Sequence, residues 1–197
     1  MRRDRCAARG VLARYQTGVR TVANVPERSL TPGERSLLRQ IFEITIPLET
    51  MVISVNDHNI GGKDNSITPR AVPWLSSEIW CADFSAATVS DEDRSTFIHE
   101  CVHVWQYYHG VTKASALWLV IRHLGDYELA YPYDLADSDD FLDFNIERQA
   151  SIVEDWWRVT KGMRTLNNTG AIKTLYAYNR YVDQMRGAGL PHKPLLR

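Results

Sequence analysis

Cysteine is scarce in this chain and odd in number: Cys6, Cys81 and Cys101, with no CxxC pair. That argues against a disulfide framework and fits synthesis in a reducing compartment. A Cys81–Cys101 bridge is the one pairing left, but Cys101 suits a buried small apolar role better. Long apolar runs are also missing. No stretch reaches the ~18 residues of a transmembrane helix. An excess of charge of one sign is absent too, since 23 basic and 24 acidic residues leave a formal net charge of -1. Nothing in that balance favours nucleic acid or an anionic membrane as a partner. The one basic run, Arg2, Arg3, Arg5, Arg9 and Arg14, resembles a signal-peptide n-region, yet no apolar h-region follows it. Synthesis in a reducing compartment without a signal peptide is the resulting expectation. A mitochondrial-type presequence is the other reading of that run.

What is present is an ordinary globular composition, with 44% hydrophobic and 24% charged residues over 197 positions. This suggests one domain, spanning 29–186. A basic segment at 1–28, weakly structured or a short helix, precedes it, and a loose tail at 187–197 follows. The fold class expected is α+β, mainly helical, with a small sheet ahead of a central helix. In "SLTPGERSLLRQIF", Thr31 is a helix N-cap, Pro32 suits the first turn and Glu34 completes a capping box. Leu37, Leu38, Ile41 and Phe42 supply the apolar face. "ETMVISV" and "SSEIWCADFS" read as strands, and "DHNIGGKDNSITP" as a loop. "SDEDRSTFIHECVHVWQYYHG" predicts a helix from an N-cap at Ser90 to a stop at Gly110. "ASALWLVIRHL" has helical length. "GDYELAYPYDLADSDDFLDF" is acidic and loop-like. "NIERQASIVEDWWRVTKG" predicts a second strong helix, with Ile146, Ala150, Val153 and Trp157 on one face. "GAIKTLYAYNRYVDQMRG" predicts a last one.

The central helix carries His99, Glu100 and His103 in an HExxH arrangement. Positions i and i+4 project from one helix face, so His99 and His103 can present two imidazoles to one metal ion. Glu100 is turned away by about 100° and serves better as a base than as a third ligand. Zinc in such a site lowers the pKa of its water towards ~7, and the carboxylate can take the proton. The bland alternative is a core helix with satisfied histidines. Bulky Phe97, Ile98, Val102 and Trp105 flank the motif and would bury the helix under either reading.

A catalytic zinc takes three protein ligands and keeps a position for water. His109 lies at the wrong spacing for a longer histidine motif and is expected to be an exposed helix-end residue. His123 is a second-choice ligand. A glutamate on the following helix is the favoured one. Glu147 precedes the small residues Ala150 and Ser151, which permit close helix packing. Glu154 stands beside Asp155 and four before Arg158, the pattern of a solvated ion pair. Gln149 and Asp155 are possible outer partners of a ligand. Tyr107, Tyr108, Tyr127, Tyr131, Tyr133 and His123 are all available to stabilise an oxyanion, with no reason to choose among them. "SSEIWCADFS" is the candidate edge strand for a peptide substrate. Trp156–Trp157 is expected to be core, one ring facing inward.

Taken together, "LTPGERSLLRQIF", "CADFSAA", "FIHECVHVWQ" and "DFLDFNIERQASIVEDWW" resemble the small zincin domains related to Vgr and Rhs proteins. The resemblance covers roughly residues 28 to 160 and implies a single-zinc metallopeptidase fold of the glutamate-ligand type. By that likeness His99, His103 and Glu147 match the zinc ligands and Glu100 the catalytic glutamate. It further implies a protein or peptide substrate, a secretion spike and an immunity protein as partners, and export by type VI secretion to a target cell's periplasm. Two departures stand out. No spike module is present, so delivery as a cargo effector is the expectation. Position 151 is Ser where many glutamate-type zincins have an Asp that orients a ligand histidine. An amidase acting on cell-wall peptides would use the same zinc chemistry. A zinc-stabilised binding module without activity would have no use for Glu100. A metal-free helical domain would be indifferent to chelators.

Overall fold

The computed structural model describes residues 27–56, 66–110 and 130–189. The basic run, "ASALWLVIRHL", His123, Tyr127 and most of the C-terminal tail lie outside them. Three short strands and four helices make up the described fold: β1 (Glu27–Ser29), α1 (Pro32–Phe42), β2 (Val52–Val55), β3 (Trp74–Leu75), α2 (Asp91–Tyr108), α3 (Ile146–Thr160) and α4 (Leu175–Gly187). The class is mixed α+β and mainly helical, with the sheet before the central helix. The strands run in the order β1-β2-β3. β1 pairs antiparallel with β2, setting Arg28 opposite Ile53, and β2 pairs parallel with β3.

The start of α1 follows its local chemistry. Thr31 Oγ1 accepts from the Glu34 amide at 3.0 Å, and Glu34 Oε2 accepts from the Thr31 amide at 2.8 Å. Glu34 does more than cap. It is fully buried, takes a two-pronged ion pair from Arg28 at 2.7 and 2.8 Å, and accepts the Phe84 amide at 2.8 Å. One carboxylate thus ties β1, α1 and the 81–85 loop together.

The expected strand at "SSEIWCADFS" does not form. The third strand lies just upstream at Trp74–Leu75, and residues 76–85 fold into turns. The Ser76 carbonyl accepts from the amides of Ile79 and Trp80, and Asp83 Oδ1 captures the Ser85 amide and hydroxyl. Such local bonds compete with a sheet ladder, and here they outweigh the strand preference of Ile79 and Trp80.

The core draws on all four α-helices and the sheet, α3 packing against both α2 and α4, with Phe84 stacked on Phe97 at 4.5 Å. Ala150 and Ser151, both fully buried, line α3 where it meets α2. Cys81 and Cys101 are buried free thiols, and burial pushes the Cys101 thiol well up. Trp157 faces inward. Trp156 is half-buried and donates to Asn179 Oδ1 at 2.9 Å. Among the described residues no helix is long and apolar enough to cross a membrane.

Asp155, on α3, anchors the loop between α3 and α4. Its carboxylate accepts the amides of Leu166, Asn167 and Asn168 and the Tyr133 hydroxyl. Asp155→Ala strands four donors, of which the Asn168 amide and the Tyr133 hydroxyl are in buried bonds; a buried donor left unpaired costs about 1–3 kcal/mol. Allowing for relaxation, we expect about 3 kcal/mol of destabilisation. A melting temperature roughly 6–12 °C lower should follow, at ~2–4 °C per kcal/mol for a chain of this size.

Candidate metal centre

α2 begins at Ser90, whose Oγ accepts the Asp93 amide at 3.0 Å, with Asp91, Glu92 and Asp93 complementing the positive end of the helix. Two turns further on, His99 and His103 share a face, their rings edge-on at 5.1 Å between centroids. His99, Glu100 and His103 bring potential ligand atoms within 4.8 Å of one another. α3 begins at Asn145, whose Oδ1 accepts the Arg148 amide at 2.9 Å, and its first turn presents Glu147. Glu147 Oε2 stands 3.5 Å from His99 Nε2 and 3.4 Å from His103 Nε2.

The outer nitrogens are already engaged. His99 Nδ1 lies 3.0 Å from Glu154 Oε2, and His103 Nδ1 lies 2.7 Å from Gln106 Oε1. An ionised carboxylate only accepts, so Nδ1 carries the proton of His99. In its neutral form the lone pair is on Nε2, facing Glu147. The same holds for His103 while Gln106 accepts. With both rings neutral, two lone pairs and a carboxylate oxygen, all acceptors, converge there. Such a cluster needs protons or a cation. The spacing suits a cation, because donors about 2.1 Å from a tetrahedral centre lie about 3.4 Å apart. Two imidazoles and a carboxylate are also a donor set that zinc accepts.

The electrostatics separate the two carboxylates. Burial alone would raise Glu147, but the charges and hydrogen bonds of His103 and His99 override it and hold its carboxyl well below the usual range. Burial also raises Glu100, and there it prevails over the lowering by His103, His99 and the Thr68 hydroxyl. Burial would lower both histidines. Hydrogen bonds to Glu147 and Glu154 nevertheless raise His99 well above its ordinary value, and the Glu147 charge and hydrogen bond raise His103. Environments that push two carboxyls apart mark one as a standing anion and the other as a proton acceptor. Thr68 Oγ1 lies 2.6 Å from Glu100 Oε2, leaving that carboxylate one oxygen for other partners. Thr68 opens a turn in which Arg70 and Ala71 are left-handed, at φ 53° and 62°. Two consecutive non-glycine residues in that region are strained, as residues near functional sites often are.

Several sequence expectations need correction. Glu154 is not in a solvated pair. It is 4% exposed, and besides His99 its Oε1 accepts from Ser95 Oγ at 3.0 Å. Burial would raise its carboxyl, but the hydrogen bond and charge of His99 lower it. The seven-residue spacing from Glu147 was the available signal, since it places both carboxylates on one face of α3. Ser151 instead accepts from Asn167 Nδ2 at 3.1 Å, so the carboxylate orienting a histidine comes two turns after Glu147 rather than one. His109 is not an exposed end. It stacks on Trp105 at 4.6 Å, and its Nε2 donates to the Thr45 carbonyl at 2.9 Å. Asp155 bonds away from the histidines, and Gln149 reaches them through Gln106. Among the described tyrosines, Tyr131 has its ring 5.8 Å from that of His99. Tyr133 is committed to Asp155 and Tyr178, and Tyr107 packs edge-on against Tyr108. Gln149 is open to sequence reasoning as an outer partner, whereas Gln106 and Thr68 carry no sequence signal of their own.

We expect Glu154→Gln to weaken binding of a divalent cation about 10–100-fold, the usual effect of losing an outer hydrogen-bond partner. Competition with a chromogenic chelator measures it.

The architecture and this cluster define a mainly helical α+β domain with a buried two-histidine, two-glutamate centre. No protein-family model matches the chain. It is 31% identical over 140 residues, 66% of its length, to the type VI secretion system spike protein VgrG2b of Pseudomonas aeruginosa. It spans 13% of that protein's length. The solved effector domain of Pseudomonas aeruginosa VgrG2b superposes with a TM-score of 0.58 at 31% identity, covering 68% of this chain and 75% of that one. The chain belongs to the family of the VgrG2b effector domain.

Proposed function

We propose that the chain is a zinc-dependent hydrolase of the metallopeptidase kind, on a zincin-like scaffold, acting as an effector associated with type VI secretion. One observation carries the enzymatic half: the Nε2 atoms of His99 and His103 converge on a single Glu147 oxygen, at 3.5 and 3.4 Å, in a buried site. His99, His103 and Glu147 hold the ion in this reading. Zinc, when bound, supplies a Lewis acid that acidifies water and polarises a carbonyl. Glu100 removes a proton from the attacking water and returns it to the leaving amine. Burial keeps its proton affinity high enough for both steps. Glu154 and Gln106 fix the two imidazoles. The family supports the other half, an effector associated with a type VI secretion spike; an immunity protein as a further partner and a target cell's periplasm as the place of action belong to the proposal.

A protein or peptide is the proposed substrate. Ile67 pairs antiparallel with Trp74 through both backbone bonds, at 2.9 and 2.7 Å. In such a pair the flanking residues turn their backbone groups the other way. Ser66 and Thr68 therefore offer an edge next to Glu100 on which an extended chain can lie. Incubating the zinc-loaded protein with a denatured protein and, separately, with purified cell-wall sacculi tests the proposal. Chelator-sensitive cleavage of the protein is the expected result. Release of cell-wall peptides alone would make it an amidase, and no cleavage of either would oppose the hydrolase reading.

A further inference from the structure

We infer that Gln106 and Gln149 form a positioning strut that sets the tautomer of His103 and its distance from Glu147 before any metal arrives. The inference rests on the zinc-site reading above. Both glutamines are buried, at 2% and 4% exposure. Gln149 Nε2 donates to the Phe144 carbonyl at 2.8 Å. Gln149 Oε1 is thereby turned towards Gln106, whose Nε2 donates to it at 3.0 Å. That same Nε2 donates to the Ile146 carbonyl at 2.7 Å.

Each step constrains the next. A backbone carbonyl can only accept, so the end of each amide that meets one must be the NH2. With Nε2 committed, Gln106 has only its oxygen to offer His103, and Nδ1 must donate to it across 2.7 Å. Whenever the His103 ring is neutral, its lone pair is then confined to Nε2, the nitrogen 3.4 Å from Glu147. Two carbonyls at the entry of α3 thus dictate the tautomer of a ring on α2. Because Ile146 and Glu147 are adjacent, the bond that orients the ring also holds the first turn of α3 at ligand distance. "HVWQ" and "ERQA", separated by 40 positions in the chain, meet in this one hydrogen bond.

Zinc affinity of the purified chain, by chelator competition, provides the test, together with nitrogen-15 spectra of the loaded protein and melting of the metal-free form. Gln106→Met should lower affinity about 10–100-fold. It should also abolish the protected Nδ1–H signal of His103 while leaving that of His99. Gln149→Met should give a smaller loss in the same direction, because Ile146 still orients Gln106, and it stands in if Gln106→Met does not fold. A structural role alone would lower the melting temperature without selecting one histidine's proton. The proposal is overturned if wild-type protein binds zinc and the glutamine variants bind it equally well, or if both histidine protons are lost together. A wild-type protein that binds no zinc would instead remove the zinc-site reading itself.

Discussion

Glu100→Gln is expected to lower kcat/KM on a denatured protein substrate by about 10²–10⁴-fold, the range that a positioned general base contributes, and to leave zinc content and melting temperature unchanged. The exchange is nearly isosteric. The amide oxygen can still accept from Thr68 Oγ1, which now stands 2.6 Å from Oε2. What is lost is the ability to take a proton, in a residue whose buried carboxyl is raised in proton affinity. Zinc is retained because the proposed ligands are untouched. Unchanged activity in this variant would assign the base to another group. A variant that loses zinc along with activity would make Glu100 a ligand.

Glu147→Ala is expected to abolish zinc retention. The expected loss exceeds the ~100-fold that removal of an outer hydrogen-bond partner causes. With the carboxylate gone, two imidazoles remain, fewer than the three protein ligands of a catalytic site. Glu147 is 4% exposed, so no side chain from solvent takes its place readily. The metal-free fold should survive, since Ala suits the first turn of α3 and Asn145 still caps it. Hydrolysis falls with the metal and is not restored by micromolar zinc. Elemental analysis after dialysis, with circular dichroism as the fold control, separates ligand loss from unfolding.

Local chemistry was legible in the sequence, and long-range chemistry was not. Thr31, Ser90 and the stop at Gly110 act within a few residues of themselves, so their patterns predict α1 and α2 closely. HExxH is legible for the same reason, since helix geometry alone puts His99 and His103 on one face. "SSEIWCADFS" failed because composition reports strand preference but not which carbonyls a turn will use. Glu154 was read as a surface ion pair because Arg158 follows it by one helical turn. Only the approach of α2 shows that the carboxylate turns inward to His99. The bonds of Thr68 to Glu100 and Gln106 to Gln149 span 32 and 43 positions, and no local pattern encodes them. Glu34 belongs to both groups, being recognisable as a capping residue but not as the buried junction of Arg28 and Phe84.

Anomalous diffraction at the zinc edge, from crystals of the loaded protein, tests the metal centre most directly. The account predicts one peak per chain, about 2.0–2.2 Å from His99 Nε2, His103 Nε2 and a Glu147 oxygen, with Glu100 outside the ligand sphere. A zinc-loaded crystal with no peak there, or a peak ligated by Glu100 while Glu147 points elsewhere, would contradict it.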